Sequence, residues 1–239
     1  MYLCAITMNT GMLGYIFDYG GTLDTGGCHW GKVLWHAYEQ CEPHIKEEEF
    51  RQAYVYAERT LGKNPIIKPD FTFYQTLKSK LQLQYRHLAG LGLTVEGGDK
   101  LIDMVYTQIK QHTRHSVEVL KELKATKTPM VLVSNFYGNI GVVLHEFGFD
   151  RLFDHIIESA VVGVRKPDPK IFQMGVEALG LEPGEVVVVG DSMDKDIVPA
   201  HSIGCQTVWF RGEPWADEPQ DTTAADRIIT DVAELLTSE

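Results

Sequence analysis

The sequence predicts an α/β fold, a parallel sheet interrupted after its first strand by a helical bundle. Three observations predict it. Runs rich in Val, Ile, Leu and Phe stop abruptly at polar or acidic residues in 13–18, 129–135 and 185–191, as the buried strands of parallel sheets do. From His115 onward such runs alternate with helical segments, the grammar of βα units. Between the first strand and that region, residues 26–112 carry almost no strand signal.

In chain order, LGYIF is a strand that delivers Asp18 to a glycine-rich turn containing Thr22 and Asp24. GKVLWHAYEQC sets Val33, Leu34, Ala37, Tyr38 and Cys41 on one helical face, and Pro43 ends it. KEEEFRQAYVYAERTLG repeats the pattern with Phe50, Ala53, Tyr54, Ala57 and Leu61, closing at Gly62. KNPIIKPD is a stiff basic loop. Two further amphipathic helices follow in 71–92 and 95–112, the second weakened by Gly97 and Gly98. The insert is thus roughly a four-helix bundle, flanked by an α/β core of residues 1–25 and 113–239. Within that core SVEVLKELKAT is a helix, PMVLVSN a strand ending at Ser134 and Asn135, and NIGVVLHEFG a helix. HIIES is a short strand, and VVGVRKPDPKIFQMGVEALG a loop entering a helix capped by Asp168 with Pro169 first. EVVVVGDS is a strand, KDIVPAHSIG a helix and CQTVWF a strand. A polar loop over 211–225, a weak strand near 227–229 and a last helix, DVAELLTS, finish the chain.

Composition narrows the function classes. A net charge of −11 without any Lys/Arg block argues against nucleic-acid or anionic-membrane surfaces. Cys4, Cys28, Cys41 and Cys205 are scattered, without metal spacing, and read as reduced thiols of a cytoplasmic protein. No run approaches transmembrane length, and MYLCAITMNTGMLG lacks the organisation of a signal peptide. The residues before Gly11 read as a frayed or over-extended tail, with Met8 and Met12 as alternative starts. Nothing in the sequence bears on oligomeric state.

Ligands of parallel sheets sit beyond the carboxyl ends of the strands, so the strand-end residues are the candidates for chemistry. Asp18 ends the first strand, although a turn aspartate bonded to its own loop reads the same way in isolation. Ser134, backed by the amide of Asn135, can hold a phosphoryl oxygen, or be a turn serine. Lys166, stiffened by Pro-Asp-Pro, can neutralise a phosphate or a carboxylate, or be a solvated loop lysine. Asp191 ends the most apolar strand, with Asp194 and Asp196 behind it. Carboxylates at neighbouring strand ends suit Mg²⁺, which keeps waters and substrate oxygens among its ligands, while Asp194 also reads as a helix N-terminal acid.

With FDYGGTLDT, VLVSN, RKPDP and VVGDSMDKD in this order, the whole chain resembles the haloacid dehalogenase superfamily of aspartate-nucleophile hydrolases. The resemblance implies a Rossmann-like core with a C1-type helical cap over residues 26–112 that closes on a small phosphorylated metabolite. It implies Asp18 as the nucleophile that forms an aspartyl phosphate, with Ser134, Asn135 and Lys166 holding the phosphoryl group. Mg²⁺ would be held by Asp18, Asp191, Asp196 and the backbone carbonyl of Gly20.

One position departs from that pattern. The superfamily's phosphatases carry a second aspartate two residues after the nucleophile, to protonate the leaving group and activate water, and here that position is Gly20. General acid/base catalysis contributes about 10² to 10⁴ in rate. Asp24, His29 or His36 can be weighed as substitutes, each with a structural alternative. Three readings follow: a phosphohydrolase of low or specialised activity, a phosphonatase-like enzyme using a cap lysine, or a non-catalytic phospho-ligand-binding or interaction protein. Lys32, Lys63 and Lys68 are candidates for the cap lysine. A dehalogenase is disfavoured, because that branch works without Mg²⁺ and this chain keeps Asp191 and Asp196. Arg59, Lys63, Lys68 and Arg86 are expected to offer positive charge to substrate, whereas Trp30, Trp35, Tyr54, Tyr56, Phe71, Phe73 and Tyr74 are expected in the bundle core.

Overall fold

Six strands form one parallel sheet: β1 (Gly14–Phe17), β2 (Met130–Ser134), β3 (His155–Glu158), β4 (Val186–Gly190), β5 (Gln206–Phe210) and β6 (Arg227–Ile229). Their order is β3-β2-β1-β4-β5-β6, so the sequence order reverses between β1 and β4. The computed structural model describes residues 14–94, 98–215 and 221–237. Expectations for the segment before Gly14 (with Cys4, Met8, Met12 and Leu13), for Gly97, for 216–220 and for Ser238 fall outside those residues.

Alternation along the strands divides the core in two. Ile16, Val131, Val133, Val186 and Val188 face one side and pack with Ile171, Phe172 and Val176 of α7 (Lys170–Leu179). Phe17, Met130, Leu132, Val187 and Val189 face the other and join a cluster that continues into the helical insertion. Both faces are covered, which is why the central strands read as nearly unbroken apolar runs.

The insertion consists of α1 (Trp30–Cys41), α2 (Glu47–Lys63), α3 (Phe73–His87) and α4 (Asp99–Ala125). Their buried stripes are close to those expected: Val33, Leu34, Ala37 and Tyr38 on α1, and Phe50, Ala53, Ala57 and Leu61 on α2. Helix α2 runs one residue beyond Gly62. The separate helices expected on either side of 112/113 are one 27-residue helix. It spans about 40 Å, and the expected boundary between insert and core falls inside it. QHTRHS is polar but holds no Gly or Pro, so nothing stops the helix, and Thr113 and Ser116 are buried there. The Ser116 hydroxyl donates to Leu23 O at 2.8 Å, tying α4 to the turn after β1.

The remaining helices are α5 (Ile140–Glu146), α6 (Ser159–Val162) and α8 (Val198–Ser202). The single turn α6 interrupts what was expected to be loop after β3. Asp168 accepts from Lys170 N–H at 2.9 Å at the start of α7, with Pro169 at the cap position. DVAELLTS is not a helix of any length but one 3₁₀ turn over Val232–Leu236. No helix among the described residues is long and apolar enough to cross a membrane.

Candidate active site

The sheet register explains why distant residues meet. Phe17 pairs with Leu132 on one side and Val189 on the other, and the Asp18 amide continues the ladder by donating to Val189 O at 2.9 Å. Asp18, Ser134 and Asp191 therefore emerge at nearly one level, where the strand order reverses and parallel sheets open a crevice. A cavity of about 170 Å³ lies there, lined by these three residues with Gly20, Asn135, Lys166 and Asp196 among others.

Lys166 is buried at its centre, with Nζ 2.5 Å from Asp18 Oδ1 and 2.7 Å from Asp196 Oδ1. Its backbone is clamped by the Asn135 side chain, which accepts from Lys166 N–H at 3.0 Å and donates to Lys166 O at 3.1 Å. The Asn135 carboxamide thus positions the lysine. Thr22 Oγ1 bridges Asp18 Oδ2 at 3.3 Å and Asp191 Oδ1 at 3.1 Å. Gly21, at φ +100°, has no side chain to collide with the Asp191 carboxylate against which it lies. Ser192 N–H donates to Asp196 Oδ2 at 3.1 Å, and Ser192, not Asp194, caps the following turn. Asp194 is exposed and stands outside the cluster.

Charge is out of balance here. One carboxylate oxygen from each of Asp18, Asp191 and Asp196 lies within 4.8 Å of the others, and one ammonium serves them. Burial pushes Asp18 up, against Lys166 and aided by Asp196, and burial with the neighbouring Asp18 and Asp196 charges holds Asp191 well above the carboxylate range. A hard divalent cation relieves such a cluster, and carboxylate and carbonyl oxygens are the donors that Mg²⁺ takes.

The proton-transfer candidates are placed as follows. Asp24 is fully buried, its two oxygens taking Gly21 N–H at 2.7 Å and Trp30 Nε1–H at 3.0 Å. Burial pushes it up to about 8, while both oxygens are committed to binding the turn and α1. His36 is exposed and pairs with Glu39 and Glu213. His29 caps α1, its Nδ1 accepting from Gly31 N–H at 3.0 Å, and lines the cavity. Burial, then the Lys195 ammonium, pulls His29 down from 6.5 to about 4. Between those values the unfolded chain binds the proton and the folded one does not, so stability is present above 6.5 and lost as pH falls towards 4. The melting temperature is expected to fall on titration from pH 7 to 4.5. His29→Asn, which keeps an N-cap acceptor, should flatten part of that fall. An equal fall in both proteins assigns the acid sensitivity to other groups.

Helices α2 and α3 contribute a wall that the sequence reading missed. Lys80 Nζ lies 2.7 Å from Glu58 Oε1, 5.5 Å from the Trp30 ring centroid and 5.8 Å from that of Tyr137. Tyr137 OH donates to Glu58 Oε2 at 3.0 Å. Arg59, Lys63, Lys68 and Arg86 do not line the cavity; its cations are Lys80, Arg165, Lys166 and Lys195. Trp30, Tyr54 and Phe73 line it rather than serving the bundle core alone, and Tyr56 is exposed on His87. The signal was present in the helical spacing. Lys80 stands three residues after Leu77 and four before Gln84, both buried, and Glu58 stands four after Tyr54 and three before Leu61. Lys32 instead pairs with Glu47 and Glu213 outside the cavity. From the segment after β5, Trp215 is planted against the insertion, with the Arg51 guanidinium 4.0 Å over its ring.

A Rossmann-type sheet with clustered carboxylates at its crossover and a helical insertion after β1 defines the class of protein. The haloacid dehalogenase-like hydrolase family matches residues 12–204, and the chain belongs to that family. A glyceraldehyde 3-phosphate phosphatase of Pyrococcus furiosus is 38% identical over 88 residues, 36% of this chain and 37% of that enzyme. The first curated relatives are all matched over only part of their length, from 26% to 54%. The human haloacid dehalogenase-like hydrolase domain-containing protein 3 is 25% identical over 209 residues, 82% of this chain and 80% of that protein. A dehalogenase crystal structure superposes with a TM-score of 0.61 at 19% identity, covering 95% of this chain and 96% of that one, a likeness of fold.

Proposed function

We propose that this chain is a Mg²⁺-dependent phosphomonoesterase acting on a small phosphorylated metabolite through an aspartyl phosphate on Asp18. The observation that carries the reading is the buried Asp18–Lys166–Asp196 contact beside Asp191, at the crossover between β1 and β4. Names of relatives support it, several being glyceraldehyde 3-phosphate phosphatases. Asp18, Asp191, Asp196 and the Gly20 carbonyl would hold Mg²⁺, which when bound supplies charge neutralisation for the phosphoryl group.

In this reading one Asp18 oxygen attacks phosphorus, the bond to the leaving oxygen breaks, and water later cleaves the aspartyl phosphate. Lys166 and the Ser134 hydroxyl hold phosphoryl oxygens, and Lys166 keeps Asp18 oriented and ionised. With Gly20 offering no proton donor, the leaving oxygen takes its proton from water, which favours leaving groups of low pKa. Cleavage through a cap-lysine Schiff base is disfavoured by charge. The one cap lysine that lines the cavity, Lys80, is held well above its ordinary pKa, burial being outweighed by Glu58, whereas imine formation needs a neutral amine. The Gly20 departure favours a second reading, a protein that binds phosphorylated ligands without turnover.

The test is phosphate release from p-nitrophenyl phosphate and a panel of three- to six-carbon phosphates. Release is expected with Mg²⁺, lost with EDTA, and restored by Mg²⁺. Phosphate binding without release supports the second reading, and absence of both rejects the phosphomonoesterase.

A further inference from the structure

The wall formed by α2 and α3 has a chemistry of its own. Lys80 and Glu58 face the same cavity as Asp18, their side chains only 12% and 32% exposed. Burial raises Glu58, but the Lys80 ammonium and the Tyr137 hydroxyl outweigh it and hold the carboxyl below its ordinary value; Glu58 in turn holds Lys80 up. Both are therefore ionised and the pair is neutral as a unit. The contact is an ion pair in which Glu58 Oε1 accepts no hydrogen bond of good geometry, so the Lys80 ammonium keeps donors and the carboxylate keeps lone pairs to offer a ligand.

Building on the phosphomonoesterase reading, we propose that the Lys80–Glu58 pair is the specificity-determining element of the site. It selects phosphate esters whose leaving group is uncharged and bears hydroxyl or carbonyl oxygens, and it rejects those bearing a carboxylate. A hydroxyl can give its proton to Glu58 and take one from Lys80, and a carbonyl can accept from Lys80. A carboxylate on the leaving group meets an ammonium already matched and a carboxylate of its own sign. The small cavity restricts such leaving groups to a few heavy atoms. The rival cations are Arg165 and Lys195, which line the cavity, are exposed, and have no carboxylate of the described residues within ion-pair distance. If they read the leaving group, carboxylate-bearing esters are preferred.

Binding separates this proposal from turnover. Asp18→Asn protein with Mg²⁺ is titrated calorimetrically with glycerol 3-phosphate and with 3-phosphoglycerate, three-carbon esters that differ by a carboxylate. Glycerol 3-phosphate is expected to bind at least about tenfold tighter. Adding Glu58→Gln, which frees the ammonium at nearly constant shape, should reduce or invert that ratio by about tenfold or more. Adding Lys80→Met instead should weaken glycerol 3-phosphate without improving 3-phosphoglycerate. Tighter 3-phosphoglycerate in the protein with Glu58 intact, or an unchanged ratio in Glu58→Gln, overturns the proposal. Failure to bind either ester overturns it together with the phosphomonoesterase reading. Discrimination in binding without turnover by the wild type supports the pair and removes only the phosphomonoesterase.

Discussion

Asp18→Asn is expected to reduce Mg²⁺-dependent phosphate release by at least about 10³-fold, because it removes the attacking oxygen while leaving the fold in place. The side chain is buried and sits against Lys166, so the amide keeps the shape but not the charge. The substitution also relieves repulsion, since three carboxylates cluster here and the Lys166 ammonium contacts only Asp18 and Asp196. The melting temperature without metal should therefore hold or rise while activity disappears, the signature of a group retained for function at a cost in stability. Mass spectrometry of acid-quenched protein gives an independent readout. A phosphoryl adduct on wild type should be absent from the variant. Comparable activity in the two proteins rejects Asp18 as the nucleophile.

Gly20→Asp is expected to raise turnover by about 10² to 10⁴, the usual contribution of general acid/base catalysis. The backbone permits it, because Gly20 is not among the residues with positive φ. There is also room. A Cβ placed there meets only the Trp30 indole, at 3.7 Å from Nε1 and 3.9 Å from Cδ1. The new carboxyl enters the cavity that Gly20 lines, beside the Asp18, Asp191 and Asp196 carboxylates, and like charges nearby favour the protonated form that a general acid needs. Leaving-group dependence is the diagnostic. An aryl phosphate departs with little protonation, whereas an alkyl phosphate does not, so the gain should be larger for glycerol 3-phosphate than for p-nitrophenyl phosphate. Equal gains point to a structural effect, and no gain means that another group already moves the proton.

Much of the candidate cluster was legible as residues, because strands of a doubly covered parallel sheet are apolar and their ends stand out as abrupt changes of character. Asp18 after GYIF and Asp191 after VVVVG are the clearest examples. The length of α4 was misread because the change from a helical insert to alternating helix and strand was taken to end one helix at 112 and begin another at Ser116, although helices stop at backbone breakers and none lies there. Asn135 was read for its amide, while the structure uses its side chain to clamp Lys166, a contact between residues 31 apart in sequence. Asp24 and His36 were open alternatives that the structure resolves into a loop anchor and a surface ion pair.

The sequence by itself determined the parallel sheet and the helical insertion after β1, because both are written in local periodicity, while the resemblance carried by four motifs in order supplied the family and marked Gly20 as a departure from its pattern. Only the tertiary structure decided the wall opposite those strand ends. Lys80, Glu58 and Tyr137 come from α3, α2 and the loop after β2. Helical spacing puts Lys80 and Glu58 on the buried stripes of their helices, but it does not say whether such a stripe meets a packed core or a cavity. What separates the two is the partner carried by another element, and packing alone brings that partner within 3 Å.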